Sequence, residues 1–270
     1  MRFGPEANVR DAQRQAHELP ARSVPAAIWE TTGVTEHMGG LRATQRLLDL
    51  CEVGQGQAII DIGCGTGGTA CYLAQAHRAR VTAVDLSARR VADTRRRAAT
   101  QGLSASVAVV LADAQDLPCA AATFDVAVLE SVAVFCDLER LATEVWRVLK
   151  PGGAFGANEL TLLAPPPDEL SALLTGTLGI RARQEADWRD GWMRAGFASV
   201  TSEVHRISLR ERFADHLRRE GLVGYVSAAL RALRDRRIRQ IFMNRALLRA
   251  ARRFLPVVGY GLYAGRKIGR

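Results

Sequence analysis

Residues 61–68 read DIGCGTGG, and these glycines carry the first chemical signal in the chain. Gly63, Gly65 and Gly68 satisfy G-x-G-x-x-G, the spacing of a turn that brings backbone close to a dinucleotide's pyrophosphate. Asp61, Gly63, Gly65 and Gly67 also satisfy D-x-G-x-G-x-G, which sets a carboxylate at the head of the turn. Glycines admit close contact between ligand and backbone, and a helix starting behind them offers unpaired N–H donors. Both patterns suit a polar ligand, but they differ in the charge they favour. A carboxylate repels a pyrophosphate and attracts a ligand's ammonium. Asp85, 24 positions after Asp61, has the type and distance to take ribose hydroxyls in either case. His37, Asp113 and Glu130 are the other polar residues that fall at expected turns or strand ends.

These residues need a frame. QAIIDI at 57–62 is a short apolar run with β-branched residues, a buried strand running straight into the glycines. Apolar residues at 70, 73, 74 and 76 make 68–78 a helix, and RVTAV at 80–84 is the next buried strand, ending at Asp85. Ser87 is placed to cap a helix over 88–101. Strands follow at 106–111, 125–129 and 153–160, with a helix at 138–149 between the last two. A helix at 187–195 and strands at 198–207 and 260–266 complete the pattern. Strands alternating with helices at this pace predict an α/β fold, a doubly wound, mostly parallel sheet of seven strands. The expected organisation is a helical cap over 1–54, a core over 55–207, a helical insertion over 208–256 and a final core strand in 257–270. EHMGG at 36–40 marks a turn in the cap, and APPPDE at 164–169 a stiff surface connection.

Composition narrows the class. Of the 270 residues, 48% are hydrophobic and 24% charged, as in an ordinary globular protein. No run of 18 apolar residues occurs, so no spanning helix is expected. The opening MRFGPEANVRDAQRQ lacks the apolar middle of a secretion signal, and the expectation is a cytoplasmic protein. Five cysteines, Cys51, Cys64, Cys71, Cys119 and Cys136, form no C-x-x-C pair, which argues against a disulfide framework or a metal site. The net charge of +9 is concentrated at one end: Arg206–Arg270 carries 17 Lys or Arg against 4 Asp or Glu. Residues 1–205 therefore carry the remaining 20 against 24.

Downstream segments repeat a known order. LADAQDLP at 111–118 puts Asp113 at the end of the third strand; TFDVAVLES at 123–131 is the fourth; EVWRVLKPGGAFGANE at 144–159 is a helix, a turn and the fifth strand. With the glycine turn, this set closely resembles the class I S-adenosylmethionine (SAM)-dependent methyltransferases. Within that family it is similar to the small-molecule group of quinone, tocopherol and sarcosine methyltransferases. The resemblance covers roughly residues 25–207 and the last strand. It implies that Gly63, Gly65 and Gly67 hold the methionine end of SAM, with Cys64 among them and Asp61 orienting the amino group. It further implies Asp85 on the ribose hydroxyls, Leu86 against the adenine, Asp113 on the adenine amino group and the Ala114 N–H on a ring nitrogen. Glu130 and Ser131 fall beneath the sulfonium, and S-adenosylhomocysteine (SAH) is the product.

The acceptor is less legible. WETTGVTEHMGG at 29–40 is similar to the N-terminal segment of the tocopherol and sarcosine-type enzymes, which places His37 near the transferring methyl as a base or acceptor ligand. With Glu130 it makes the candidate catalytic pair; the alternative is that His37 only orders the Gly39-Gly40 turn. Glu30 departs from those relatives, which carry Gly directly after the Trp. In 208–256, apolar residues recur three and four apart with arginines between them. A lid over a small-molecule acceptor, a peripheral membrane surface for a quinone or lipid, and a homodimer interface all suit that pattern. Few aromatics interleave with the arginines, and no Pro-Pro-aromatic motif follows the fourth strand, which counts against nucleic acid. A SAM-binding module without catalysis is the alternative outside enzymes; the intact set Asp61, Gly63, Gly65, Asp85 and Asp113 counts against it.

Overall fold

The computed structural model describes residues 37–207 and 254–268. Residues 1–36 of the expected cap and 208–253 of the expected insertion lie outside them. In chain order the elements are α1 (Gly40–Leu50), β1 (Ala58–Ile62), α2 (Gly68–Ala76), β2 (Arg80–Asp85), α3 (Ala88–Thr100), β3 (Val107–Leu111) and β4 (Phe124–Glu130). Then come α4 (Leu138–Val148), β5 (Leu149–Leu162), α5 (Asp168–Ala172), β6 (Arg183–Gln184), α6 (Glu185–Arg194), β7 (Phe197–Arg206) and β8 (Val258–Lys267).

The sheet runs β3-β2-β1-β4-β5-β8-β7, with β6 paired to β5 off that path. β1 to β5 are parallel, and β8 enters antiparallel between β5 and β7. Eight strands stand where seven were expected. The extra one, β6, is two residues long, too short to show any alternation in sequence. From β1 the chain winds outward through β2 and β3, then crosses back to β4 on β1's other side. That reversal opens a crevice at the carboxyl ends of β1 and β4, the usual ligand position in such sheets.

Strand alternation divides the interior into two layers. Ile60, Ile62, Ala127, Leu129, Phe155 and Ala157 join one apolar cluster. Ile59, Val126, Val128 and Ala154 join the other, with Leu47 and Leu48 of α1 and Ala70 and Leu73 of α2. By the same alternation Asp61, Glu130 and Asn158 turn to the α1–α2 side, and Glu159 turns to the opposite one. On that opposite side Phe155 stacks on Trp192, ring centroids 4.2 Å apart, with Phe197 at 4.4 Å.

The docking of α1 is close because β5 has no side chain at Gly156. A Cβ there would lie 2.6 Å from Cys51 Sγ and 3.0 Å from Leu47 Cγ. Ala43, Thr44, Leu47 and Leu48 form the buried face of the helix. Gly156→Ala should push α1 outward and destabilise the protein by about 1–3 kcal/mol. Urea unfolding would read this as a lowered midpoint, and an unchanged midpoint would show that α1 moves freely.

Candidate functional site

The turn after β1 is tied to the end of β2. The Gly63 and Cys64 amides donate to the Val84 carbonyl at 2.7 and 2.9 Å. Gly63 has φ +72°, and a Cβ there would collide with Val132 in the segment after β4. Only glycine meets both conditions at this position. Gly65 and Gly67 also have positive φ, and Gly67 is the N-cap of α2 with no side-chain cap. Cys64 is buried with Sγ 3.7 Å from Thr94 Oγ1, and burial pushes its thiol pKa up.

Asp61, the last polar residue of β1, is 3% exposed. Its Oδ2 has no hydrogen-bond partner. Burial pushes its pKa up to about 8; the negative charges of Glu130 and Asp85 add to that, and a bond from the Ala70 backbone opposes it. A buried carboxylate with a free oxygen invites a donor, and a cationic one most of all. A pyrophosphate would instead add charge of the same sign to three clustered acids.

Asp85 ends β2 half-buried. Its Oδ2 accepts from the Gly65 amide and its Oδ1 from the Ser87 amide, both at 2.9 Å. Burial raises its pKa while those amides oppose the rise. Its carbonyl accepts from Ala112 N–H at 3.1 Å, which draws the ends of β2 and β3 together. Leu86 follows, half-buried. At the β3 end the Asp113 Oδ1 accepts from Gln115 N–H at 2.9 Å, closing a turn, and Ala114 packs partly buried against the core. The Asp61, glycine-turn, Asp85 and Asp113 positions thus share one crevice rim across β1, β2 and β3.

Glu130, at the end of β4, is the hub of a buried polar network. Thr44 Oγ1 donates to Oε2 at 2.8 Å, and Thr69 Oγ1 donates to Oε1 at 2.9 Å. His37 Nε2 lies 3.4 Å from Oε1 and 3.1 Å from Thr69 Oγ1. Asn158 Nδ2 reaches Oε2 at 3.5 Å and donates to the Met38 carbonyl at 2.8 Å. Ser131 takes φ +62°, uncommon for a residue with a side chain, and its amide donates to the Asn158 carbonyl at 2.8 Å.

Glu159, on the opposite face of β5, carries a role the sequence did not suggest. Fully buried, it accepts three amides: Val132 and Ala133 N–H on Oε1 at 3.0 and 2.8 Å, and Val134 N–H on Oε2 at 3.3 Å. Burial pushes its pKa up to about 7 against the pull of those amides. It therefore holds the segment that carries Val132 onto Gly63. Thr44, Thr69 and Asn158 were also missed. Only Asn158-Glu159 left a signal, two adjacent polar residues inside an otherwise apolar strand.

A family model described as a methyltransferase domain matches residues 60–157. The chain is 32% identical over 162 residues to the "Uncharacterized methyltransferase YodH" of Bacillus subtilis (strain 168), covering 60% of this chain and 68% of that protein. It spans about half the length of other curated relatives it matches. Among solved structures, Haemonchus contortus phosphoethanolamine N-methyltransferase 2 in complex with SAM has a TM-score of 0.72 at 18% identity, over 94% of this chain and 60% of that one. The cyclase SpnF has a TM-score of 0.70 at 21% identity, over 100% of this chain and 99% of that one. At these identities the two structures share the fold alone.

The raised acids set a pH dependence of stability. The folded chain retains protons on Asp61 and Glu159 that the unfolded chain gives up at ordinary carboxylate values. Stability should therefore fall as pH rises from about 4 to about 8. Asp61→Asn should flatten that fall in unfolding curves recorded across this range. A wild-type protein more stable at the upper end would contradict the assignment.

Proposed function

Because the chain belongs to the class I SAM-dependent methyltransferase family, we infer that it transfers a methyl group from SAM to a small-molecule acceptor. The observation that carries this reading is the buried, unpartnered Oδ2 of Asp61 at the head of the glycine turn. SAM brings an ammonium and a sulfonium, and both suit a crevice lined by Asp61, Asp85 and Glu130. In this role Asp61 takes the ammonium and the backbone of Gly63 to Gly67, with Cys64, lines the methionine end. Asp85 has a free lone pair on each oxygen for the ribose hydroxyls, Leu86 covers the adenine, and Asp113 with the Ala114 N–H holds the adenine edge. Glu130 and Ser131 lie toward the sulfonium.

SAM supplies a methyl group already activated for displacement. The chain's share is to orient donor and acceptor and to exclude water. The stretch 208–256, whose sequence pattern suggests helices, is proposed as the lid that does the latter, and 1–54 as its partner cap. Peripheral contact with an anionic membrane and a homodimer interface are rival roles for the same stretch. Vesicle sedimentation at low and high salt and hydrodynamic mass separate them. A cytoplasmic location accompanies the reading; among the described residues no helix is long and apolar enough to cross a membrane.

Formation of SAH in the presence of an acceptor tests the transfer itself. Titration calorimetry should show micromolar-range binding of SAM and SAH and none of NAD. Binding of NAD without SAM would overturn the reading. Asp85→Ala should abolish SAM binding, and unchanged affinity would remove Asp85 from the cofactor site.

A further inference from the structure

The hydrogen bonds around His37 fix which ring nitrogen carries its proton. Thr69 has one hydroxyl proton, and it is committed to Glu130 Oε1 at 2.9 Å. Toward His37, Thr69 Oγ1 therefore offers only lone pairs. Glu130 Oε1, the other atom near Nε2, is an acceptor as well. With an acceptor at 3.1 Å and another at 3.4 Å, Nε2 must be the donor. Neutral imidazole holds one proton, so Nδ1 keeps its lone pair. Among the described residues nothing hydrogen-bonds Nδ1, and the side chain is 23% exposed at the edge of the crevice. The ring is thus anchored by one nitrogen and presents a base with the other.

We propose that His37 Nδ1 is the general base of the transfer and that the acceptor is a hydroxyl compound, an alcohol or a phenol. This rests on the methyl-transfer reading above. A thioether, or an amine already free of its ammonium proton, has a lone pair ready to attack a methyl group and needs no base at that moment. A hydroxyl is a weak nucleophile until its proton leaves and ionises little near neutral pH, so a positioned base is of most use to an acceptor of that kind. The acceptor's O–H proton passes to Nδ1 while an oxygen electron pair forms the new O–C bond. The S–C bond breaks, and its pair stays on sulfur. His37 becomes imidazolium, and its Nε2 proton faces the Glu130 carboxylate.

Glu130 then acts through His37 and is a positioning residue, not a base that touches the acceptor. Thr44 and Asn158 occupy its other oxygen and so hold it in place. Asn158 also fixes the Met38 carbonyl beside His37. α1 is thereby tied to the reaction centre by polar contacts as well as by apolar packing.

Nitrogen-15 NMR of the whole protein reads the tautomer directly. The neutral His37 ring should carry its proton on Nε2 alone in the wild type and on both nitrogens in mixture in Glu130→Gln. A proton on Nδ1 in the wild type, or an unchanged ratio in Glu130→Gln, overturns the proposal. With labelled SAM and a probe panel of phenols and alcohols against amines and thioethers of matched size, hydroxyl probes should yield SAH. His37→Ala should keep SAM affinity, lose turnover about a hundredfold or more, and recover part of it with added imidazole. Turnover of amines alone, or full turnover in His37→Ala, refutes it. Should no probe react, the tautomer decides alone. Loss of SAM binding by the wild type would instead defeat the cofactor reading and leave the tautomer result standing.

Discussion

Asp61, Asp85 and Glu130 lie at or beside the carboxyl ends of three neighbouring parallel strands, and Asp61 and Glu130 are buried there. Gathering like charges out of water is costly, so each must be answered locally. Asp85 is answered by two backbone amides and Glu130 by two threonine hydroxyls. Asp61 keeps one oxygen without a partner. That remaining deficit is the physical basis for proposing a cationic ligand in the crevice. The surrounding turns and helices can be understood as the means of holding the three acids together.

Two adjacent residues of β5 connect this charge cluster to the fold. Asn158 faces α1 and bonds both the Met38 carbonyl and Glu130. Glu159 faces the other layer and gathers the amides of Val132 to Val134. Between them they fix the backbone after β4 from both sides of the sheet. Val132 then closes over Gly63, where only a glycine fits. Packing on one face and chemistry on the other are coupled through a single strand.

The parts that could be read from sequence are those whose physics is local. A strand entering glycines, a carboxylate at a strand end and Ser87 capping α3 each depend on residues a few positions apart, and each element stands near its expected bounds. β5 begins earlier than expected, at Leu149, because the chain pairs with β4 at Phe124 before the turn at Lys150–Gly153 and at Val126 after it. The network around Glu130 could not be read in this way. Its partners Thr44 and Thr69 lie 86 and 61 positions away, single polar residues on buried helix faces that give no periodic signal. Glu130 is legible as an acid at a strand end, but the hydroxyls that hold it are not.

In the proposed cofactor role, Asp61 holds a proton in the free protein and exchanges it for the ammonium of SAM. Calorimetric titration of SAM near pH 7, repeated in buffers of different ionisation enthalpy, counts the protons exchanged on binding. Release of about one proton is expected, disappearing in Asp61→Asn. Binding with no proton released, or with net uptake, would contradict it.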